Sequence, residues 1–226
     1  MRRPYAPARW PTSFRPGRAA QAELVLVDVD NLTPKPDSVS WEVAGGLYVA
    51  GVTAWRAVHS VQLDIGETVV VSAAAGGVGS LAVQLPRRAG ATVIGLASEH
   101  NHGWLRTHGV IPVAYGDGVI DRIKAAAPSG IAFIDAYGGG YVEMALALGV
   151  AAERIDTIAD FATAARYGVK SEPGTNGRPG AEVLAELAAD GHLEVPIANV
   201  YPLTQVRQAY TELERRHTHG KIVLSP

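Results

Sequence analysis

The chain has 226 residues, of which 47% are hydrophobic and 19% charged, with a formal net charge of -2. That is enough to bury a substantial core, while no apolar run approaches the ~20 residues that cross a bilayer, so a soluble globular fold is expected. The balanced charge offers no broad basic field for nucleic acid, and a small molecule is the expected partner. There is no cysteine, which excludes disulfides, a thiolate nucleophile and any zinc site built on thiolates.

Met1 to Ala20 mixes Arg, Pro and aromatic residues without periodicity and lacks the apolar core of a secretory signal, so it is read as irregular and the protein as cytoplasmic. Ala22 to Val27 reads as a strand and Asp28 to Ser38, broken by Asn31, Pro34 and Pro36, as a connection. Ser40 is a helix cap by type. The apolar stretch from Trp41 to Val58 is interrupted by Gly45, Gly46 and Gly51, which predicts two short helices. Trp41 and Trp55 are read as packing residues.

After Gly66 short apolar strands alternate with amphipathic helices, the pattern of βαβ units around a doubly wound parallel sheet. Strands are predicted at Thr68 to Ser72, Thr92 to Leu96, Ile111 to Val113, Ile131 to Asp135, Arg154 to Ile158 and Lys221 to Leu224. Helices are predicted at Val78 to Ala89, Asn101 to His108, Val119 to Ala127, Tyr141 to Leu148, Ala181 to Asp190 and Leu203 to Arg216. Pro86 should kink or shorten the first of these. Lys170 to Gly180 reads as a surface loop.

Within this pattern, Thr68 to Ser72 leads into Ala74-Ala75-Gly76-Gly77-Val78-Gly79 and then into a helix. A pyrophosphate site needs this order: a strand reaching the carboxyl edge of the sheet, a backbone that can come close, and a helix N-terminus with free amides. Gly76 permits the approach and Gly79 permits the helix to pack on the strand. Ala74 stands where the first glycine of the dinucleotide fingerprint is usual, so a tight turn without a ligand is the alternative reading.

The run from Val71 through Gly79 to Leu85, continuing through Ala89 to Gly95, resembles the zinc-free quinone oxidoreductase branch of the medium-chain dehydrogenase/reductase superfamily. Val49 to Trp55 is similar to that family's helix before the cofactor domain, and His217 to Leu224 to its closing strand. The likeness runs from about Ala22 to the end. It implies a Rossmann fold with a remnant of a GroES-like domain, divided as an irregular segment 1–21, a remnant 22–48 and a dinucleotide-binding domain 49–226.

The same resemblance implies binding of NADPH and delivery of its hydride to a quinone, an enone or a similar conjugated carbonyl. Ala75, Gly76, Gly77, Val78 and Gly79 would then hold the pyrophosphate. Thr53 matches the threonine near the nicotinamide, and Tyr115 the tyrosine against the adenine end. Gly138 would border the cofactor, Phe161 would line the nicotinamide pocket, and Lys221 opens the closing strand. Helix cap, loop aromatic and core packing are the respective alternatives for Thr53, Tyr115 and Phe161. Ser98 ends the second strand without an acid, as a 2′-phosphate requires, and Asn101 takes the place of a frequent lysine. Glu99, one residue later, leaves NADH open.

No catalytic side chain is assigned. Asp135 is read as the cap of the turn after its strand or of the next helix, ahead of a role as general acid, and His217 and His219 lack a third metal ligand at recognisable spacing. Most of the family's GroES-like domain has no counterpart here. A non-redox enzyme catalysing a rearrangement or cyclisation, or a nucleotide-binding protein without turnover, is therefore the competing reading. Strand edges suggest a homodimer.

Overall fold

The computed structural model describes residues 9–11, 21–25, 32–127, 130–171 and 180–226. By internal contacts the chain forms two compact units, Thr53–Thr175 and Met1–Val52 with Asn176–Pro226.

The first unit carries the parallel sheet. Strands β3 (Thr68–Val71), β4 (Thr92–Leu96), β5 (Ile111–Val113), β6 (Ile131–Asp135) and β7 (Ile155–Thr157) lie in the order β5-β4-β3-β6-β7, all neighbours parallel. The doubly wound expectation holds, since the chain leaves β3 toward one edge and returns to its other side at β6. A bridge between Asp156 and Lys170 extends the β7 edge. Val69, Val70 and Val71 are fully buried, as is Phe133, because helices cover both faces of such a sheet. Val70, Ile94, Leu96, Ile123, Phe133 and Ile155 belong to one apolar cluster.

The helices of this unit follow the predicted pattern with two changes. The helix after the glycine turn is split into α2 (Gly79–Ala82) and α3 (Gln84–Arg88), with the break at Val83. The split puts Pro86 in the first turn of α3, where its missing N–H removes no helical bond. Beyond α4 (His102–Thr107), α5 (Val119–Ala126) and α6 (Tyr141–Ala147) there is a helix absent from the prediction, α7 (Phe161–Tyr167). Asp160 caps it, accepting from the Thr163 amide at 3.0 Å. Seven residues with three alanines give too short an amphipathic pattern to register.

Helix α1 (Trp41–Ser60) is one helix of 20 residues rather than two. Its start is as read: Ser40 Oγ accepts from the Val43 amide at 3.2 Å. Each interior glycine costs about 1 kcal/mol of helix propensity, but a Cβ at Gly51 would come within 3.0 Å of Leu184 and one at Gly46 within 3.3 Å of Ile197. Close packing therefore overrides the propensity signal. Trp41 is 58% exposed rather than a core residue, with the Lys35 ammonium 5.1 Å from its ring centroid.

The second unit also contains α8 (Ala181–Ala189), β8 (Ile197–Pro202), α9 (Val206–Glu214) and β9 (Lys221–Ser225). The closing strand β9 forms a separate two-stranded parallel sheet with β8 instead of joining the large one. Strand β8 was absent from the prediction, in a short run that is bracketed by Pro196 and Pro202 and broken by Asn199. Of the predicted amphipathic face in α9, Ala209 is buried while Tyr210 and Leu213 remain half-exposed.

At the N-terminal end, Ala22 to Leu24 form bends and not the start of a strand, and residues 26–31 lie outside the described residues. Strand β1 (Arg9–Pro11) instead pairs antiparallel with β2 (Leu32–Pro34). Part of the segment read as irregular, and part of the one read as a connection, are thus paired. Both runs are three residues long, and only a partner distant in sequence selects them. Most of the loop predicted at Lys170 to Gly180 also falls outside the described residues.

At the amino edge of the large sheet, Arg154 donates to Glu67 Oε2 at 2.6 Å and to the Gln62 carbonyl at 3.2 Å. A cleft of about 370 Å³ opens there, lined by both side chains, Ile131 and Leu148. The Arg154 hydrogen bond, followed by one from the Asp64 amide, holds the Glu67 carboxyl below the usual glutamate range. A depressed folded pKa stabilises the fold above the unfolded value, and that contribution is lost as pH falls through the folded one. Arg154→Leu should thus lower the thermal midpoint near pH 6, and the gap to wild type should shrink toward about pH 3. A gap independent of pH would remove the pair from the account.

Candidate functional site

Because every strand of the large sheet runs the same way, the segments that leave β3 to β7 all emerge at one edge. The glycine turn follows β3, Ser98 and Asn101 follow β4, Tyr115 follows β5, Gly138 follows β6, and Phe161 follows β7. The fold thereby gathers residues as far apart in the chain as Ala75 and Phe161. At β3 the strand order reverses, and the crevice outside such a reversal is where open α/β sheets bind ligands.

The glycine turn is fixed from below. The Ala74 amide donates to the Leu96 carbonyl at 3.0 Å, and the Gly76 amide to the Ala73 carbonyl at 2.8 Å. A Cβ on Gly79 would sit 2.1 Å from the Ala73 carbonyl oxygen, so no other residue fits where the helix meets the turn. Among the described residues, the N–H groups of Ala75, Gly77, Val78 and Gly79 donate to no backbone carbonyl. The Ser80 hydroxyl in the same first turn is fully buried and has no hydrogen-bond partner. Free amides at a helix start and a backbone bare of side chains suit an anionic group.

Asp135 anchors the neighbouring turn. It is fully buried. Its Oδ1 accepts from Ser72 Oγ at 2.8 Å and from the amides of Tyr137 and Gly138 at 3.0 and 2.9 Å, and its Oδ2 accepts from Thr157 Oγ1 at 2.8 Å. Ser72 Oγ in turn accepts from the Ala136 amide at 2.8 Å. One carboxylate therefore ties the ends of β3, β6 and β7 together and orients the turn carrying Gly138, whose φ of +82° requires glycine. The capping role read from sequence is the one observed. Ser72 and Thr157, which complete this network, were absent from the prediction; hydroxyls at the carboxyl ends of strands flanking a strand-terminal Asp were the available signal.

After β4, Ser98 Oγ lies 3.0 Å from His100 Nδ1 and accepts from Asn101 Nδ2 at 3.2 Å. Glu99 follows Ser98 in a short 3-10 turn, Glu99–Asn101, rather than ending the strand. Tyr115 is 52% exposed and Tyr137 53%. Tyr137 meets Tyr141 edge-on at 5.9 Å. Burial foremost, and then the neighbouring Asp135, Tyr137 and Tyr115, push the Tyr141 hydroxyl above the usual tyrosine range.

Two alternatives from the sequence are corrected. Thr53 lies inside α1 and caps neither end. Phe161 is the first residue of α7 and 51% exposed, so it is not a core phenylalanine. Lys221 belongs to the other unit, where it starts β9 and burial lowers its ammonium pKa. Among the described residues no three His, Asp or Glu side chains are placed to share a metal ion.

Residues 113–224 match the zinc-binding dehydrogenase family. The quinone oxidoreductase of Coxiella burnetii superposes with a TM-score of 0.79 at 26% identity, over 88% of this chain and 65% of that one. The chain is thus similar to enzymes of the medium-chain dehydrogenase/reductase superfamily. Among its relatives, the polyketide synthase GfsB of Streptomyces halstedii is 29% identical over 225 residues, covering 89% of this chain and 4% of that protein. The mitochondrial NAD(P)H oxidoreductase RTN4IP1 of Bos taurus is 25% identical over 240 residues, covering 90% of this chain and 60% of that protein. The chain thus spans less than two thirds of each protein compared. Among its described residues no helix is long and apolar enough to cross a membrane.

Proposed function

We propose that this protein binds NADPH along the carboxyl edge of its parallel sheet and reduces a quinone, an enone or a similar conjugated carbonyl. The observation that carries the reading is the glycine turn: four amides without backbone partners, at the strand-order reversal, on a turn that excludes a side chain at Gly79. The bound dinucleotide supplies the hydride. Ala75 to Gly79 offer their amides to the pyrophosphate, and Gly138 gives close backbone approach from the next turn. Ser98 and Asn101 present polar groups to the 2′-phosphate with no carboxylate at the strand end, whereas Glu99 stands one residue farther along. Tyr115 supplies an aromatic face for the adenine ring. Thr53 and Phe161 are assigned to the nicotinamide side, and Lys221 to the closing strand. The relatives named as an NAD(P)H oxidoreductase and a quinone oxidoreductase support the same chemistry.

Titration of tryptophan fluorescence with NADPH should show saturable quenching, and absorbance at 340 nm should fall when a simple quinone or enone is added. Binding without consumption would replace the reductase by a binding protein. Failure to bind at millimolar cofactor would favour a non-redox reaction. Gly76→Asp places bulk and negative charge against the pyrophosphate and should abolish binding while the thermal midpoint reports the fold. Ser98→Asp should weaken NADPH more than NADH. Equal effects would remove Ser98 from the 2′-phosphate.

A cytoplasmic homodimer completes the proposal. It is supported by the absence of cysteine and by the two-stranded sheet β8-β9, in which each strand keeps an edge unpaired within its sheet. Sedimentation as a monomer at micromolar concentration would overturn the dimer.

A further inference from the structure

Helix α5 begins with an oddity of charge. Arg122 sits in its first turn, where the positive end of the helix dipole disfavours a cation. Helix stability therefore does not account for an arginine there. Its contacts do. Arg122 Nη2 and Nε both donate to the Ala114 carbonyl, at 2.8 and 3.2 Å, and Nη1 donates to the Asp117 carbonyl at 2.7 Å. Nη2 makes two looser approaches, 3.4 Å to the Gly116 carbonyl and 3.5 Å to that of Tyr115. Four successive carbonyls thus converge on one guanidinium.

The loop is built to allow this. Gly116 and Gly118 have φ of +95° and +74°, and a Cβ on Gly118 would come within 3.2 Å of Arg122 Nη1. A planar fork of fixed donors satisfies several carbonyls at once, which a lysine ammonium on a flexible stem does not do. Tyr115 is the aromatic side chain that the clamped loop presents to solvent.

We infer that Arg122 is a positioning residue: its guanidinium clamps the carbonyls of residues 114–117 and so holds Tyr115 as a ready-made aromatic platform for the adenine ring of the cofactor. The inference rests on the proposed NADPH site for its ligand but not for its geometry. A platform fixed before binding loses less conformational freedom when the ring arrives.

The test uses Arg122→Ala, Tyr115→Ala and the double variant in the full chain. Arg122→Ala should raise the Kd for NADPH about tenfold, the scale of one stacking contact, and Tyr115→Ala by a similar factor. The double variant should be no weaker than Tyr115→Ala, since Arg122 acts through Tyr115. Reduced nicotinamide mononucleotide, which lacks adenine, should bind all variants equally. Multiplicative losses in the double variant, or equal losses for the mononucleotide, would overturn the inference. Hydrogen exchange on the ligand-free protein provides a second readout. In Arg122→Ala the amide of Val119, which donates to the Gly116 carbonyl of the loop at 3.1 Å, should exchange faster while those of β4 and β6 keep their rates. Unchanged loop exchange would overturn the clamp. Faster loop exchange in a protein whose wild type fails to bind NADPH would retain the clamp and reject the cofactor.

Discussion

Replacing Asp135 by alanine should destabilise the fold by about 4 kcal/mol, the largest effect expected of a single polar substitution here. The carboxylate is fully buried and accepts from two hydroxyls and two amides. Alanine would strand those donors away from water at the junction of three strands. Asparagine retains a carbonyl oxygen for Ser72, Tyr137 and Gly138. Its amide nitrogen would face Thr157 Oγ1, which already accepts from the amides of Ala159 at 3.2 Å and Asp160 at 3.0 Å. Asp135→Asn should therefore cost about 1–2 kcal/mol. Urea denaturation monitored by circular dichroism gives both values. An alanine variant within about 1 kcal/mol of wild type would show that the network does not carry the turn. If Asp135 is a scaffold and not an acid, the asparagine variant should keep the cofactor affinity and pH profile of wild type.

Gly79→Ala is expected to be nearly as damaging, at about 3 kcal/mol or more, although it adds one methyl group. The added Cβ would lie 2.1 Å from the Ala73 carbonyl oxygen, 2.8 Å from its carbon and 3.0 Å from Ala74 Cα. All three are backbone atoms, so no rotamer can relieve the clash and the start of α2 must move. Gly103→Ala provides the control. It lies in α4, nothing approaches a Cβ there within 4 Å, and its φ is not left-handed. That substitution should stabilise by about 0.5–1 kcal/mol. Equal stabilities of the two variants would refute close packing as the reason for Gly79.

The same contrast separates what was legible in the sequence from what was not. Strands β4 and β6 were readable to the residue because they are mostly apolar runs flanked by turn signals, and β5, though short and holding Pro112, because it falls in place within the alternation of strands and helices. The glycine turn was readable because strand, glycines and helix lie within one local stretch. Helix α1 was misread at its glycines, since the tightest approaches to Gly51 and Gly46 come from Leu184 and Ile197, distant in sequence. Strands β1, β2 and β8 escaped notice because they hold proline and lie outside the alternation of strands and helices that marks the large sheet. The site followed the same division. Asp135, Tyr115 and the glycine turn were visible alone, but Ser72, Thr157 and Arg122 were not, because the network around Asp135 and the clamp on the Tyr115 loop depend on neighbours in space.

The sequence by itself determined a parallel α/β sheet and the turn that meets its edge, because hydrophobic period and glycine placement are local properties. Only the tertiary structure decided where β9 pairs, which glycines are forced by packing, and which polar groups hold the turns in register. These depend on through-space contacts between segments that no local pattern specifies.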